Sequence, residues 1–278
     1  MTLLSVRGLS KEFVSRRGFL RHSDRHLALK DVSFDLAPGE ILGLVGESGS
    51  GKTTLGRCVQ RLIEPSAGDV VFDGTSLRAL PSKALRVLRR RIAFVFQDPY
   101  ASLNPRLTVG RIVGEPIEIH SLAASRAARR SRIKALLAEV GLPEDAAHRY
   151  PHQFSGGQRQ RISIARALAC DPDLIIADEP VSALDVSIQA QILNLLEDLR
   201  VRRGVTMLFI SHDLEVVRYL CDRVAVLYRG RLVEIGATEE VIRRPQHEYT
   251  RSLIAAVPRR RVEHLPLRSP PPSVEEGE

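Results

Sequence analysis

The chain has 278 residues, enough for one large domain or two small ones around a substantial buried core. With 44% hydrophobic and 27% charged residues the balance is globular and excludes wholesale disorder; with no Trp and only 5% aromatics it lacks stacking platforms for single-stranded nucleic acid. A net charge of +8 suits polyphosphate ligands, nucleic acid or an anionic membrane face, and equally a solvated basic surface with no dedicated partner.

No apolar run approaches the ~20 residues of a membrane span, and the opening MTLLSVRGLSKEF lacks a signal-peptide apolar stretch. The expectation is a soluble, cytoplasmic protein. Cys58, Cys170 and Cys221 lie far apart with no CxxC spacing and read as small core residues kept reduced.

Taken in chain order, Ser5–Leu9 and Val32–Leu36 alternate apolar and polar residues, the period of half-buried strands. Ile41–Val45 is a continuous apolar run that suits a parallel strand covered on both faces. Gly46–Thr53 then reads GESGSGKT, which fits G-x-x-x-x-G-K-[ST]. It sits after a buried strand and before a helix with Leu55, Val59 and Leu62 on one face, the context this motif requires. Its glycines let backbone N–H groups turn inward around phosphate oxygens, and the helix dipole adds positive potential. Gly46, Glu47, Ser48, Gly49, Ser50, Gly51, Lys52, Thr53 and Thr54 are therefore the candidate phosphate-binding residues. Lys52 would reach the β- and γ-phosphates, and the Thr53 hydroxyl would bind Mg²⁺.

Val70–Phe72 alternates again and Asp73-Gly74 reads as a turn, while Ile92–Phe96 is a second buried run. From about Ser102 to Leu168 strand signals vanish, which implies a helical subdomain inserted into an α/β core. Within it Ser155-Gly156-Gly157-Gln158 precedes a helix over Arg159–Leu168. A serine and two glycines make a second anion-binding helix start with a hydroxyl cap, although a merely capped helix reads the same.

Leu174–Ala177 buries a third strand that ends in Asp178-Glu179. Asp178 is placed to hold Mg²⁺ through its waters, and Glu179 to polarise a water for in-line attack on a γ-phosphate. Strands also end in Asp or Glu for solubility alone; the phosphate loop tips the reading. Ser187–Arg200 carries Ile188, Ile192, Leu195 and Leu199 as one helical stripe, and Val205–Ile210 is a fourth buried strand, followed by His212. Arg223–Tyr228 and Arg231–Ile235 flank Arg229-Gly230 as a hairpin, and together with the N-terminal strands imply a small antiparallel sheet attached to the parallel core. After Val257 prolines and charges dominate, so 1–257 reads as the folded domain and 258–278 as a disordered tail.

The ordered set GESGSGKT, Gln97, FSGGQ at 154–158, IIADEP at 175–180, SALD at 182–185 and His212 resembles the nucleotide-binding domains of ABC transporters, up to about Val257. The resemblance implies an α/β P-loop NTPase, a RecA-like parallel core with an antiparallel β-subdomain and an inserted α-helical subdomain of about 102–168. It implies ATP and Mg²⁺ as cofactors. Phe13 is then similar to the adenine-stacking aromatic, with a core Phe as the other reading, and Gln97 to the glutamine that ligates Mg²⁺ and links the nucleotide to membrane subunits. Ser155, Gly156, Gly157 and Gln158 would close over the ATP of an opposite protomer, beside Asp185 crossing the same interface. Glu179, His212, Lys52 and Gln97 form the catalytic set, with Thr53, Gln97 and Asp178 around the metal.

QDPYASLNPR at 97–106, EPVSALDVSIQAQILNLL at 179–196 and PQHEYTRSLIAAVP at 245–258 resemble ATPase subunits of oligopeptide/dipeptide importers, strings shared with nickel and glutathione importers. The segment Ser15–His26 resembles the second of the two ATPases such systems carry. This implies two transmembrane permease subunits, a second ATPase subunit with a heterodimer expected over a homodimer, and indirectly an extracytoplasmic solute-binding protein. No nucleic acid is expected, and the place is the cytoplasmic face of the inner membrane, peripherally. Many such subunits carry a C-terminal cysteine cluster; here no cysteine follows Cys221, so no iron–sulfur centre is expected. The basic clusters Arg86–Arg91 and Arg126–Lys134 read as solvated helix faces, or as contacts with a membrane surface or permease loop. Two rival readings are an ABC ATPase of a soluble complex, such as the carbon–phosphorus lyase-associated subunit, and a regulatory module that binds ATP without cleaving it. QDPYASLNPR weighs against the first, and intact Asp178, Glu179, Gln97 and His212 against the second.

Overall fold

The computed structural model describes residues 2–17 and 22–256, so the expected tail at 258–278 lies outside the described residues. Strand β1 (Leu4–Arg17) pairs with β2 (His22–Leu36) in an antiparallel ribbon whose register runs from Leu4 opposite Leu36 to Arg17 opposite His22. The two strands thus extend well beyond the runs Ser5–Leu9 and Val32–Leu36 that the sequence marks. β4 (Ala67–Phe72) pairs with β1, and β5 (Thr75–Ser76) closes a four-stranded antiparallel sheet of order β2-β1-β4-β5. Asp73 and Gly74 make the β4–β5 turn with φ of 48° and 74°, the signature of a tight hairpin.

The second sheet has six strands in the order β10-β9-β3-β8-β7-β6. Its parallel members are β3 (Ile41–Val45), β6 (Ile92–Val95), β7 (Leu174–Asp178), β8 (Thr206–Ile210) and β9 (Arg223–Tyr228). Successive side chains serve opposite faces. Leu42, Leu44, Ile176, Leu208 and Ile210 pack toward the antiparallel sheet, while Ile41, Val45, Ile175, Met207 and Phe209 pack toward the helices of the other face. Burial on both faces is why these strands read as unbroken apolar runs.

The C-terminal hairpin corrects one expectation. β9 and β10 (Arg231–Ala237) join the large sheet rather than the small antiparallel one, because β9 pairs in parallel with β3. Val224, Ala225, Val226 and Leu227 are all buried, a two-faced strand rather than a half-exposed one. Only β10, antiparallel at the edge, stays half-buried.

Helix α1 (Lys52–Val59) lies between the two sheets, with Leu55, Cys58 and Val59 in their shared core. The opposite face is covered by α4 (Val109–Ile119), α5 (Arg126–Glu139), α6 (Gly156–Leu168), α7 (Val186–Arg203) and α8 (Leu214–Leu220). Short helices α2 (Ser82–Leu88), α3 (Pro99–Ser102), α9 (Thr238–Arg243) and α10 (Glu248–Ala255) complete the chain. Residues 102–168 contain no strand, and their helices share one core with the parallel sheet. In α7, Ile192, Leu195 and Leu199 are buried, while Ile188 is half-buried and packs on Gly157, where a Cβ would lie 2.4 Å from its Cγ2. The basic clusters are partly solvated, with Arg86, Arg90, Arg126 and Arg130 exposed, and partly braced. Arg91 bridges Asp73 and Asp173, Arg129 pairs with Glu118, Arg132 with Asp171 and Lys134 with Glu144. Among the described residues no helix is long and apolar enough to cross a membrane.

Ile176 is fully buried in β7, whereas Val201 on α7 is 71% exposed. Ile176→Ala should therefore cost about 2–5 kcal/mol of stability and Val201→Ala less than about 0.5 kcal/mol. Urea unfolding midpoints measure both, and equal shifts would contradict this packing.

Candidate nucleotide site

The chain leaves β3 at Val45 and turns through Gly46, Gly49 and Gly51, with φ of 150°, 80° and 109°, before entering α1 at Lys52. Gly46 and Gly51 admit no side chain: a Cβ would lie 2.1 Å from the Leu227 carbonyl at the first and 2.6 Å from the Ala28 carbonyl at the second. The loop is pinned to the hairpin beside it, where Gly230 N–H donates to the Ser50 carbonyl at 2.9 Å.

Lys52 is only 5% exposed. Its ammonium donates to the carbonyls of Gly46 at 2.6 Å and Glu47 at 2.9 Å. Burial holds its pKa below the ordinary lysine value, opposed by the negative charges of Glu179, Asp178 and Glu47. Thr53, one residue on, donates its hydroxyl to Asp178 Oδ1 at 3.1 Å. Asp178 is 2% exposed, and burial pushes its carboxyl above the usual range despite that hydrogen bond. The low-dielectric floor of the site thus disfavours both charges until a ligand joins them.

Three strand ends supply the rest. Glu179 follows β7, Gln97 lies beyond β6 and His212 beyond β8. Gln97 Nε2 donates to Glu179 Oε2 at 2.9 Å, and His212 Nδ1 lies 3.2 Å from the same oxygen. Glu179 holds φ at 47°, a conformation unfavourable for a residue with a side chain. Its N–H donates to the Ile210 carbonyl at 2.9 Å and its carbonyl accepts from the Ser182 hydroxyl at 3.1 Å, which together hold that turn.

These groups meet in a cleft of about 610 Å³ lined by Phe13, Ser48, Gly49, Gly51, Lys52, Thr53, Thr54, Gln97, Glu179 and His212. His26 and Ala28 line it too and were not singled out from sequence; His26 comes there because β-pairing sets it opposite Phe13. Phe13 is 40% exposed, with the Lys11 ammonium 5.0 Å from its ring centre, so it is a ring at the cleft rather than a core residue. A larger groove of about 920 Å³ between α4 and α5 holds none of these groups.

Ser155, Gly156, Gly157, Gln158 and Asp185 do not line the cleft. They sit at the starts of α6 and α7. Ser155 Oγ accepts from Gln158 N–H at 3.3 Å while Gln158 Oε1 accepts from Ser155 N–H at 3.0 Å, a reciprocal capping box. Asp185 precedes α7 without capping it through its side chain, and is exposed.

A divalent cation fits the donor chemistry. Thr53 hydroxyl, Asp178 carboxylate and Gln97 amide oxygen are hard oxygen donors, few enough to suit Mg²⁺ that keeps waters and phosphate oxygens. No cluster of three His, Cys, Asp or Glu able to hold a metal alone occurs among the described residues.

Comparison with known proteins agrees with this geometry. The family described as ABC transporter matches residues 29–182, and the oligopeptide/dipeptide transporter C-terminal region matches 233–278. A Brucella ovis protein named for peptide import ATP binding is 57% identical over 256 residues, covering 92% of this chain and 78% of its own. The oligopeptide transport ATP-binding protein OppF of Bacillus subtilis is 51% identical, over 92% of this chain and 82% of its own. The glutathione import ATP-binding protein GsiA of Pectobacterium atrosepticum is 53% identical, over 92% of this chain and 41% of its own. Among solved structures, a dimeric ATP-binding cassette bound to ADP and Pi superposes with a TM-score of 0.75 at 33% identity, over 84% of this chain and 98% of that one. The chain therefore belongs to the ATP-binding subunits of the ABC transporter family, and its reaction is ATP hydrolysis.

Proposed function

We propose that this ATPase powers the import of oligopeptides, dipeptides or a related small polar solute, working as one of two nucleotide-binding subunits beneath two transmembrane permeases. One observation carries the transport reading: the match to the oligopeptide/dipeptide C-terminal region at 233–278, joined to relatives named for peptide and glutathione import. The soluble-complex alternative finds no favour among those relatives. The subunit would lie peripherally on the cytoplasmic face of the membrane, with an extracytoplasmic binding protein delivering the solute to the permeases.

Residues 1–257 act as one nucleotide-binding domain, with 102–168 as its helical subdomain. The half-site in the cleft is incomplete by itself, because the capped start of α6 and Asp185 lie outside it. A second protomer would close them over the bound ATP. Phe13 stacks on adenine, while Ser48, Gly49, Gly51, Lys52, Thr53 and Thr54, which line the cleft, hold the phosphates, and Gly46, Glu47 and Ser50 shape the loop that presents them. Ser155, Gly156, Gly157 and Gln158 of the opposite subunit present N–H and hydroxyl donors to the γ-phosphate. A heterodimer with a sibling ATPase is the favoured assembly.

Thr53, Asp178 and Gln97 would hold Mg²⁺, which neutralises phosphate charge when bound. Lys52 exchanges its carbonyl partners for phosphate oxygens, which costs little because one set of hydrogen bonds replaces another. Glu179 orients and polarises the attacking water, with His212 and Gln97 fixing its carboxylate from two sides. Gln97 begins the segment that runs to α3 and the exposed Tyr100, a route from the γ-phosphate to a permease.

In the assembly purified from membranes, Glu179→Gln should lower ATP turnover by about 100-fold or more while nucleotide stays bound. Turnover close to that of the unaltered protein would remove Glu179 from this role. Chelation of divalent cations should abolish turnover and weaken nucleotide retention in an equilibrium binding assay, and both should return on adding Mg²⁺. The transport reading is tested by mass spectrometry of proteins that co-purify with the tagged chain from solubilised membranes. Two polytopic permeases and a second ATPase support it; soluble partners alone, with the chain absent from the membrane fraction, would overturn it.

A further inference from the structure

The phosphate loop is gripped from two sides, and the second grip comes from the C-terminal region. Glu47 N–H donates to the Tyr249 hydroxyl of α10 at 3.0 Å. That N–H is thereby committed to the protein rather than to a phosphate. On its other side the Glu47 carbonyl accepts from Lys52 at 2.9 Å and from Ser50 N–H at 3.1 Å. Residue 47 is the point where the loop's internal ties and the C-terminal helix meet.

Tyr249 is itself firmly placed. It is 9% exposed and stacks on Tyr228 at the end of β9, ring centres 4.0 Å apart and planes at 26°. His247 caps α10 by accepting from Tyr249 N–H at 3.1 Å. The Glu234 carboxylate on β10 accepts from the N–H groups of Gln246 and His247 at 2.8 and 3.0 Å, which fixes the entry to the helix. The stack stops just before Gly230, whose N–H holds Ser50 at the far end of the same loop.

We propose that Tyr249 is a positioning residue for the phosphate loop, its hydroxyl holding the loop in its nucleotide-ready shape through Glu47 N–H. This rests on the reading of that loop as the ATP phosphate site. When Lys52 turns to phosphate oxygens, the loop gives up ties to the carbonyls of Gly46 and Glu47. The bonds from Tyr249 and Gly230 do not involve Lys52 and remain to steady it. The ring of Tyr249 supplies packing, while the hydroxyl alone reaches the loop, so the two roles separate on removing one oxygen.

Tyr249→Phe keeps the stack and removes the acceptor. Tyr228→Phe is the control, since it keeps the stack and leaves the loop's bond intact. Binding of trinitrophenyl-ATP in Mg²⁺ should weaken about threefold to tenfold in Tyr249→Phe, the scale of one neutral hydrogen bond, and stay unchanged in Tyr228→Phe. Hydrogen exchange by mass spectrometry should speed up in the peptide containing residue 47. In the membrane-purified assembly KM for ATP should rise by the same factor with kcat within about twofold, because no group at the γ-phosphate has changed. Unaltered protein that binds no nucleotide would overturn the ATP reading and this role with it. Nucleotide binding and exchange in Tyr249→Phe equal to those of the unaltered protein would overturn the role alone.

Discussion

The parallel strands are buried on both faces, and this constraint decides where chemistry can occur. Along β3, β7 and β8 each apolar side chain meets one core or the other, so polar side chains are confined to the strand ends, Thr206 at the start of β8 and Asp178 at the end of β7. They emerge where the strands stop. Lys52, Glu179 and His212 all follow such ends, and Gln97 follows the neighbouring β6. Parallel alignment puts every end on the same edge of the sheet, so four segments remote in sequence converge without any contact designed between them.

Convergence brings opposed charges into a place that disfavours each. Burial lowers the proton affinity of Lys52 and raises that of Asp178, so each charge is favoured only beside an ionic partner. The protein makes do with backbone carbonyls for the ammonium and with the Thr53 hydroxyl for the carboxylate. These are neutral partners for charged groups, and a polyphosphate with its cation would replace them by ionic ones. The strained turn at Glu179 belongs to the same economy of preorganisation: two backbone bonds hold its carboxylate where Gln97 and His212 already face it.

The sequence is legible wherever a feature is local. Buried strands, the phosphate loop, the capping box of Ser155 and Gln158, and the carboxylates after β7 each lie within a few residues of their own cause. What escapes is pairing over distance. Nothing within residues 223–237 says that β9 lies beside β3 and not beside β4, although its four adjacent buried apolar residues were a signal of two-sided burial. His26 enters the cleft only through its register with Phe13. The arginine braces look like solvated charge in one dimension because Asp73, Asp171 and Asp173 come from other elements.

Such distant contacts also separate what the site does from what readies it. Asp178 and Glu179 could be named because their residue types announce charge, and Gln97 through the family resemblance alone. Tyr249 announces only an aromatic in a helix, and its partner is a backbone N–H, which every residue but proline carries. A bond of that kind leaves no trace in residue chemistry at its far end. It leaves a geometric one, because a loop that must offer several N–H groups inward has to commit the others elsewhere. Glu47 is tied through its N–H to α10 and Ser50 through its carbonyl to the β9–β10 hairpin, which places these two elements behind the phosphate loop. Tyr249 lies within the region matched to the oligopeptide/dipeptide transporters, so one hydrogen bond joins that region to the phosphate loop.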